Sequence, residues 1–301
     1  MDHREIDESI VREMNIDGLE VLDWIGSGNF SNVFKGILNN DTEVAIKVIS
    51  QDDSALNHEL NILSKIKGCP NTTQIIDSIP SSKDYPIIIM EYKKGISSKD
   101  LLNNLTLPHI KYILQSLLKS LDSIHHNSIV HQDVKLSNLI VSTDYKEITL
   151  SDWGCAHVVS NNLSPLVGTR LYRSPEMLIG AKNYRTAGDI WAVGVTILYI
   201  LSNDHIPWNS PSSDKELIEM SKFFGGNNLA NYAENVLHLN IKPGISKNMV
   251  PDATEKLDKC FSDKSKSLQD PQLIDLMNQL LTLDMTKRPS AETALQHAFF
   301  K

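Results

Sequence analysis

The sequence has little that would tie it to secretion, a membrane or a nucleic acid. Its 301 residues include only three cysteines, Cys69, Cys155 and Cys260, odd in number and widely spaced. They form neither a disulfide framework nor a zinc spacing, which suits a reducing cytosol or nucleus. The longest apolar run, Ile190 to Leu201, is about twelve residues, too short to cross a bilayer and suited to a buried helix. The start, Met1-Asp2-His3-Arg4-Glu5, is charged and leads into no apolar stretch, so no signal peptide and no secretion are expected. There is no basic tail or lysine-rich tract, and the net charge is −8, so direct nucleic-acid binding and membrane partners are not expected. Internal repeats and low-complexity tracts are also missing. What is present is a 41% hydrophobic chain with scattered charge, long enough to bury a large core.

Two short segments carry the chemistry. One reads His131-Gln132-Asp133-Val134-Lys135-Leu136-Ser137-Asn138, the other Leu150-Ser151-Asp152-Trp153-Gly154. Asp133 can accept the proton of an attacking hydroxyl, and Lys135 can neutralise charge on a moving phosphoryl group. Asn138 and Asp152 can hold Mg²⁺ against the phosphates of ATP. Upstream, Ile25-Gly26-Ser27-Gly28-Asn29-Phe30-Ser31-Asn32-Val33 is a glycine-rich turn between strand-like runs. Gly26 and Gly28 let the backbone fold closely over phosphate. Ser31 stands where a G-x-G-x-x-G pattern has its third glycine, so an ordinary hairpin turn fits as well. It is neither a Walker A loop nor a Rossmann turn, because no Gly-Lys-Ser/Thr follows and Val33 to Ile37 alternates like a strand. Lys47, in Val44-Ala45-Ile46-Lys47, reads as a ligand of the α- and β-phosphates or as an exposed strand residue. The stretch from Ser54 to Ile66 is helical by the spacing of Leu56, Leu60, Leu63 and Ile66. Glu59 on it is a partner for Lys47 or a solvated acid, and His58 reads as a surface histidine. Ile110 to His125 shows a clear helical stripe of core residues.

Taken together these segments resemble a eukaryotic serine/threonine protein kinase from about Leu19 to Phe300. Gly168-Thr169-Arg170-Leu171-Tyr172-Arg173-Ser174-Pro175-Glu176 resembles the family's substrate-binding loop, with Ser174 in place of alanine. Gly188-Asp189-Ile190-Trp191-Ala192-Val193-Gly194 resembles the start of its buried central helix, and Lys287-Arg288-Pro289-Ser290-Ala291 its closing motif. The resemblance implies an α+β, two-lobed fold: an N-terminal extension over 1–18, a β-rich ATP-binding lobe over 19–92 and a mainly helical catalytic and substrate-binding lobe over 93–301. It implies a Glu176–Arg288 ion pair, Met90 behind the adenine, and backbone groups from Glu91 to Lys93 on the base edge. ATP and Mg²⁺ are the implied cofactors, with Ile25 to Val33, Lys47, Glu59, Glu91 and Lys93 around the nucleotide. Asp133 and Lys135 are the implied catalytic pair, and Asn138 and Asp152 the metal ligands. The polar stretches Asn203 to Asp214 and Lys242 to Asp270 are expected to be loops.

Departures from the family pattern bear on regulation. Gln132 replaces the arginine that commonly binds an activation-loop phosphate, and a neutral amide cannot make that bidentate contact. Activity independent of such phosphorylation is expected. Trp153 replaces the usual phenylalanine and should favour one packed conformation, open to control by a regulatory subunit. Within the family the chain resembles the cell division control protein 7 kinases of replication initiation and the cell cycle. Glu59-Leu60-Asn61-Ile62-Leu63, Leu107 to Leu121, Gly168-Thr169-Arg170, and Asp189 to Val195 with Asp214 to Ala233 carry that likeness, as does Ile10-Val11-Arg12-Glu13-Met14. It implies a nuclear location; a cytoplasmic one stays open. Casein kinase two is the rival, through Gly68-Cys69-Pro70-Asn71, Asp152-Trp153-Gly154 and Phe261 to Leu281. Gln51-Asp52-Asp53-Ser54 stands where that family carries a basic cluster. Both families favour acidic sequence around the target hydroxyl of a protein substrate, and Arg170 and Arg173 offer the matching positive potential. A pseudokinase scaffold is the alternative of another class, although no key catalytic residue is missing.

Overall fold

The computed structural model describes residues 16–28, 31–50, 52–80, 85–164 and 166–301. Its first third is built from alternating apolar residues. Strands β1 (Leu19–Gly28), β2 (Ser31–Leu38), β3 (Thr42–Ile49), β4 (Ile75–Ile79) and β5 (Ile87–Glu91) form one antiparallel sheet in the order β1-β2-β3-β5-β4. Period-two alternation divides the side chains of this sheet between its faces. Val44, Ile46, Val48, Ile87 and Ile89 form one apolar cluster with Val21 and Phe34. Ile88 and Met90 point the other way and join the largest core of the molecule. Lys47 lies opposite Val33 on β2 and Ile88 on β5, in the middle of the sheet.

Helix α1 (Asp53–Lys65) crosses between β3 and β4. Asp52 caps it by accepting from the Ser54 amide, and the helix buries Leu56, Glu59, Ile62 and Leu63. An acid on the apolar stripe is costly unless paired, so this face already demands a cation opposite Glu59.

The remaining chain is mainly helical. It contains α2 (Ser98–Asn104), α3 (Leu107–His126), α4 (Pro175–Ile179), α5 (Ala187–Leu201), α6 (Ser213–Phe224), α7 (Gly226–Asn235), α8 (Pro243–Ser246), α9 (Pro271–Leu280) and α10 (Ala291–Leu295). Two small antiparallel ribbons lie between α3 and α4. They pair β6 (Ile129–Val130) with β9 (His157–Val158), and β7 (Leu139–Val141) with β8 (Ile148–Leu150). The fold is α+β, with a small antiparallel-sheet lobe and a helical lobe. Helix α3 buries Ile110, Ile113, Leu114, Leu117, Leu118, Leu121 and Ile124, the stripe its sequence shows. Helix α5 is buried nearly all round, which explains its unbroken apolar run. No helix among the described residues is long and apolar enough to cross a membrane.

Two expectations need correction. The stretch 242–270 is not all loop: it holds α8 and the 3₁₀ turns Leu257–Cys260 and Asp263–Leu268. These turns are too short to show a helical period. The stretch Asn203 to Asp214 runs as loop to Ser212, whose side chain caps α6 by accepting from the Lys215 amide.

Glu176 of α4 and Arg288 form the expected ion pair, with both groups buried. Nη1 donates to Oε1 at 2.8 Å and Nη2 to Oε2 at 3.1 Å. The remaining donors reach the carbonyls of Ala187 at 2.6 Å and Thr282 at 3.1 Å. The guanidinium also lies 5.1 Å from the centre of the Trp191 ring.

Candidate active site

The cleft between the sheet and the helical lobe is lined by Ile25, Gly26, Ser27 and Gly28 at the end of β1, and by Ser31 and Val33 on β2. Lys47, Glu59, Met90, Glu91, Lys93, Asn138 and Asp152 complete much of its wall. Its volume is about 240 Å³, far above the ~10–15 Å³ that one water requires, so it is a ligand-sized cleft. Val33, Ala45, Met90 and Ile140 give it apolar walls, and Lys47, Glu59 and Asp152 form one charged end.

That charged end is an ion cluster drawn from three elements. Lys47 Nζ donates to Glu59 Oε1 at 2.7 Å and Oε2 at 2.9 Å, and to Asp152 Oδ1 at 3.0 Å. Burial works against the charge on Lys47, but Glu59 and Asp152 outweigh it and raise the lysine pKa. Burial likewise opposes ionisation of Asp152, and Lys47 reverses this and holds its carboxyl below the usual range. The strand lysine, the helix acid and the Asp152 loop are thus charged and in register.

The second charged group centres on Asp133. Its Oδ1 accepts from the Thr169 amide at 2.7 Å, and its Oδ2 from Lys135 Nζ at 2.9 Å and Asn138 Nδ2 at 3.0 Å. Lys135 also reaches Thr169 Oγ1 at 2.6 Å. Burial pushes the Asp133 carboxyl up, but Lys135 and Thr169 bring it below its ordinary value. Asp133 is therefore ionised at neutral pH and held by three donor groups that make four bonds, the fourth running from Asn138 Nδ2 to the Asp133 backbone carbonyl at 2.8 Å. Asn138 spends its amide nitrogen on Asp133, which leaves Oδ1 as the coordinating atom. With Asp152 it makes a hard oxygen donor pair, which fits Mg²⁺.

A buried framework holds this loop. Asp189, at the start of α5, accepts from the amides of His131 and Gln132, each at 2.8 Å, and from His125 Nε2 at 2.9 Å. Burial opposes the charge on Asp189, and the His125 bond keeps its carboxyl below the usual range. The Asp133 amide donates to His131 Nδ1 at 3.2 Å, so the His131 proton sits on Nε2, 3.1 Å from the Ser151 carbonyl. Burial pushes the His131 pKa down and keeps the ring neutral. The ring meets the Trp153 indole edge-on at 4.7 Å. Trp153 is fully buried, as its bulk suggests, yet its Nε1–H has no hydrogen-bond partner.

Gln132 and Asp152 adopt positive φ, 63° and 65°. Gln132 donates its side-chain amide to the Tyr184 hydroxyl, which donates to the Ser164 carbonyl at 2.6 Å. Gly168 has φ +72°, and a Cβ there would lie 1.9 Å from the Gln132 carbonyl oxygen. Only glycine lets the chain before Thr169 approach the Gln132–Asp133 backbone this closely.

Most residues expected around the nucleotide therefore meet in one cleft. Asn32 is not among those lining it; its Oδ1 is 3.5 Å from the Trp24 indole nitrogen. Asn29 and Phe30 lie outside the described residues, as do Ile10 to Met14 and Gln51. His58 is not a free surface histidine: Nε2 lies 2.8 Å from the Ala156 carbonyl, and its ring is 4.5 Å from that of His157. This contact ties α1 to the segment after Asp152. The positive potential expected of Arg173 is largely spent on the carbonyls of Leu166, Val167 and Gly168, at 2.9–3.0 Å. Sequence reasoning gave no role to Thr169 at Asp133, to Asp189, or to Ala45 and Ile140 in the cleft wall. The glycine before Thr169 was the available signal.

Comparison with known proteins agrees with this geometry. Residues 19–300 match the family model described as "Protein kinase domain". Casein kinase II subunit alpha' of Saccharomyces cerevisiae is 30% identical over 95% of this chain and 85% of its own length. A Dictyostelium discoideum protein named "Probable serine/threonine-protein kinase" is 27% identical over 95% of this chain. The chain spans 48% of the length of that relative.

Proposed function

The chain belongs to the protein kinase domain family and is a protein serine/threonine kinase; on that premise we propose that it acts with Mg²⁺ and is assembled for catalysis without activation-loop phosphorylation. The observation that carries this reading is the Lys47 cluster, in which Glu59 and Asp152 are both within 3.0 Å of Nζ. Lys47 and the glycine turn orient the ATP phosphates. Asp133 aligns the target hydroxyl and takes its proton as the γ-phosphoryl group leaves ATP in line, and Lys135 stabilises the charge that develops. Bound Mg²⁺, held by Asn138 and Asp152, would neutralise phosphate charge. No covalent enzyme intermediate is needed. The Gln132 amide is already engaged by Tyr184 and offers no cation to a loop phosphate.

Two finer readings follow. A constitutive, acid-directed kinase of the casein kinase two type is favoured by the yeast relative and by a site complete within one chain. A reduced replication-initiation kinase of the cell division control protein 7 type, nuclear and dependent on a regulatory subunit, rests on the sequence stretches that resemble that family.

The test is labelled phosphate transfer from ATP to serine peptides by the purified chain, beside Asp133→Asn and Lys47→Met. Asp133→Asn should lose about 10²–10⁴-fold in turnover and keep ATP binding, and Lys47→Met should be nearly inactive. Transfer to acidic peptides that survives phosphatase treatment supports the constitutive reading. Activity only with an added subunit supports the replication-initiation reading. ATP binding without transfer under any condition would move the chain to the scaffold class.

A further inference from the structure

Glu216 of α6 is fully buried, and neither of its carboxylate oxygens receives a hydrogen bond. No other buried carboxylate among the described residues is left in that state. Its neighbour is Arg170, whose Nη1 lies 3.1 Å from Oε1. Arg170 donates to the Ser210 carbonyl rather than to the acid, and its side chain stays 34% exposed. It directly follows Thr169, which touches both Asp133 and Lys135. A peptide whose hydroxyl reaches Asp133 therefore passes beside this guanidinium. Arg173 holds loop carbonyls, while Arg170, about one-third exposed, keeps a side open to the peptide.

We propose that Glu216 is a specificity-determining residue of the peptide site: ionised, it masks Arg170; neutral, it leaves Arg170 free to bind an acidic side chain flanking the target serine or threonine. The inference rests on the kinase reading given above. An incoming carboxylate and an ionised Glu216 compete for one guanidinium, and like charges held close in a water-poor site repel. The acid is poised for such a role. Burial pushes its pKa up to about 7, against the opposing charges of Arg170 and Arg173, which are the charged groups acting on it. Binding of an acidic peptide is then coupled to proton uptake by Glu216.

The experiment measures kcat/KM for two peptides differing only in Glu or Gln beside the target residue, from pH 6 to 8. The peptide glutamate stays ionised throughout, since its ordinary pKa is about 4.3. In the wild-type chain the Glu/Gln ratio should fall as pH rises, by up to about tenfold. Glu216→Gln should show a high, pH-independent ratio, and Arg170→Gln a ratio near one at every pH. A merely structural Glu216 would not move this ratio, because folding defects lower both peptides alike. A flat wild-type ratio, or a Glu216→Gln ratio equal to wild type at pH 8, overturns the inference while leaving the kinase reading intact. Silence toward both peptides overturns the kinase reading and the inference together.

Discussion

Two arginine–glutamate pairs sit in the helical lobe, and they are built in opposite ways. Arg288 and Glu176 meet through two parallel bonds, with both side chains fully shielded and the spare donors on carbonyls. Arg170 Nη1 lies 3.1 Å from Glu216 Oε1 without donating to it, with the arginine one-third exposed and the acid unsatisfied. The first pair has one geometry, and breaking it strands a buried charge. The second has a vacancy on both partners. Its acid can shed its charge and its arginine can take another anion. The difference separates an ion pair that holds the fold from one that can change partners.

The largest test of this contrast is stability. Arg288→Ala should destabilise the chain by about 3–5 kcal/mol, because Glu176 is left buried and unpaired; Arg170→Ala should cost far less. Denaturant unfolding of both variants would check it, and equal losses would break the comparison. A smaller effect comes from pH. The Glu216 pKa is raised in the folded state, so the unfolded chain binds fewer protons between the ordinary glutamate value and about 7. Its contribution is thus present at acid pH and lost as pH rises through that window. Glu216→Gln should therefore raise Tm at pH 8 and leave it nearly unchanged at pH 4.5. Calorimetry at both pH values would show it, and a lower Tm for the variant at pH 8 would mean that the carboxylate is better paired than its geometry shows. The smallest expected effect is Arg170→Lys, which keeps a charge near Glu216 and should change unfolding stability by no more than ~0.5 kcal/mol. Arg288→Lys loses the fork and should exceed that clearly.

The first of these pairs was legible in the sequence, because Pro175-Glu176 and Arg288-Pro289 belong to recognisable motifs. So were the α3 stripe, the Lys47–Glu59 contact and the set of Asp133, Lys135, Asn138 and Asp152. Each combines a residue type with a spacing that chemistry demands. The second pair was not legible. Glu216 sits among Asp214, Lys215 and Glu219 in a stretch that reads as a solvated helix face, and only packing shows that it points inward. Thr169 and Asp189 were missed for a related reason: their contacts run to residues 36 and 58 positions away. The short turns in 242–270 carry too few residues for any period to register.

Trp153 also gives the molecule an optical property. Its indole is fully buried, lies edge-on to the neutral His131 ring and is joined through the backbone to Asp152. Trp191 and Trp208 are buried farther along the chain, in contact with Phe224, and Trp24 is exposed. Emission from Trp153 should therefore be blue-shifted and quenched or released when the Asp152 loop moves. A Trp153→Phe difference spectrum would isolate that signal, and its response to added ATP and Mg²⁺ would test whether the Asp152 loop moves with them.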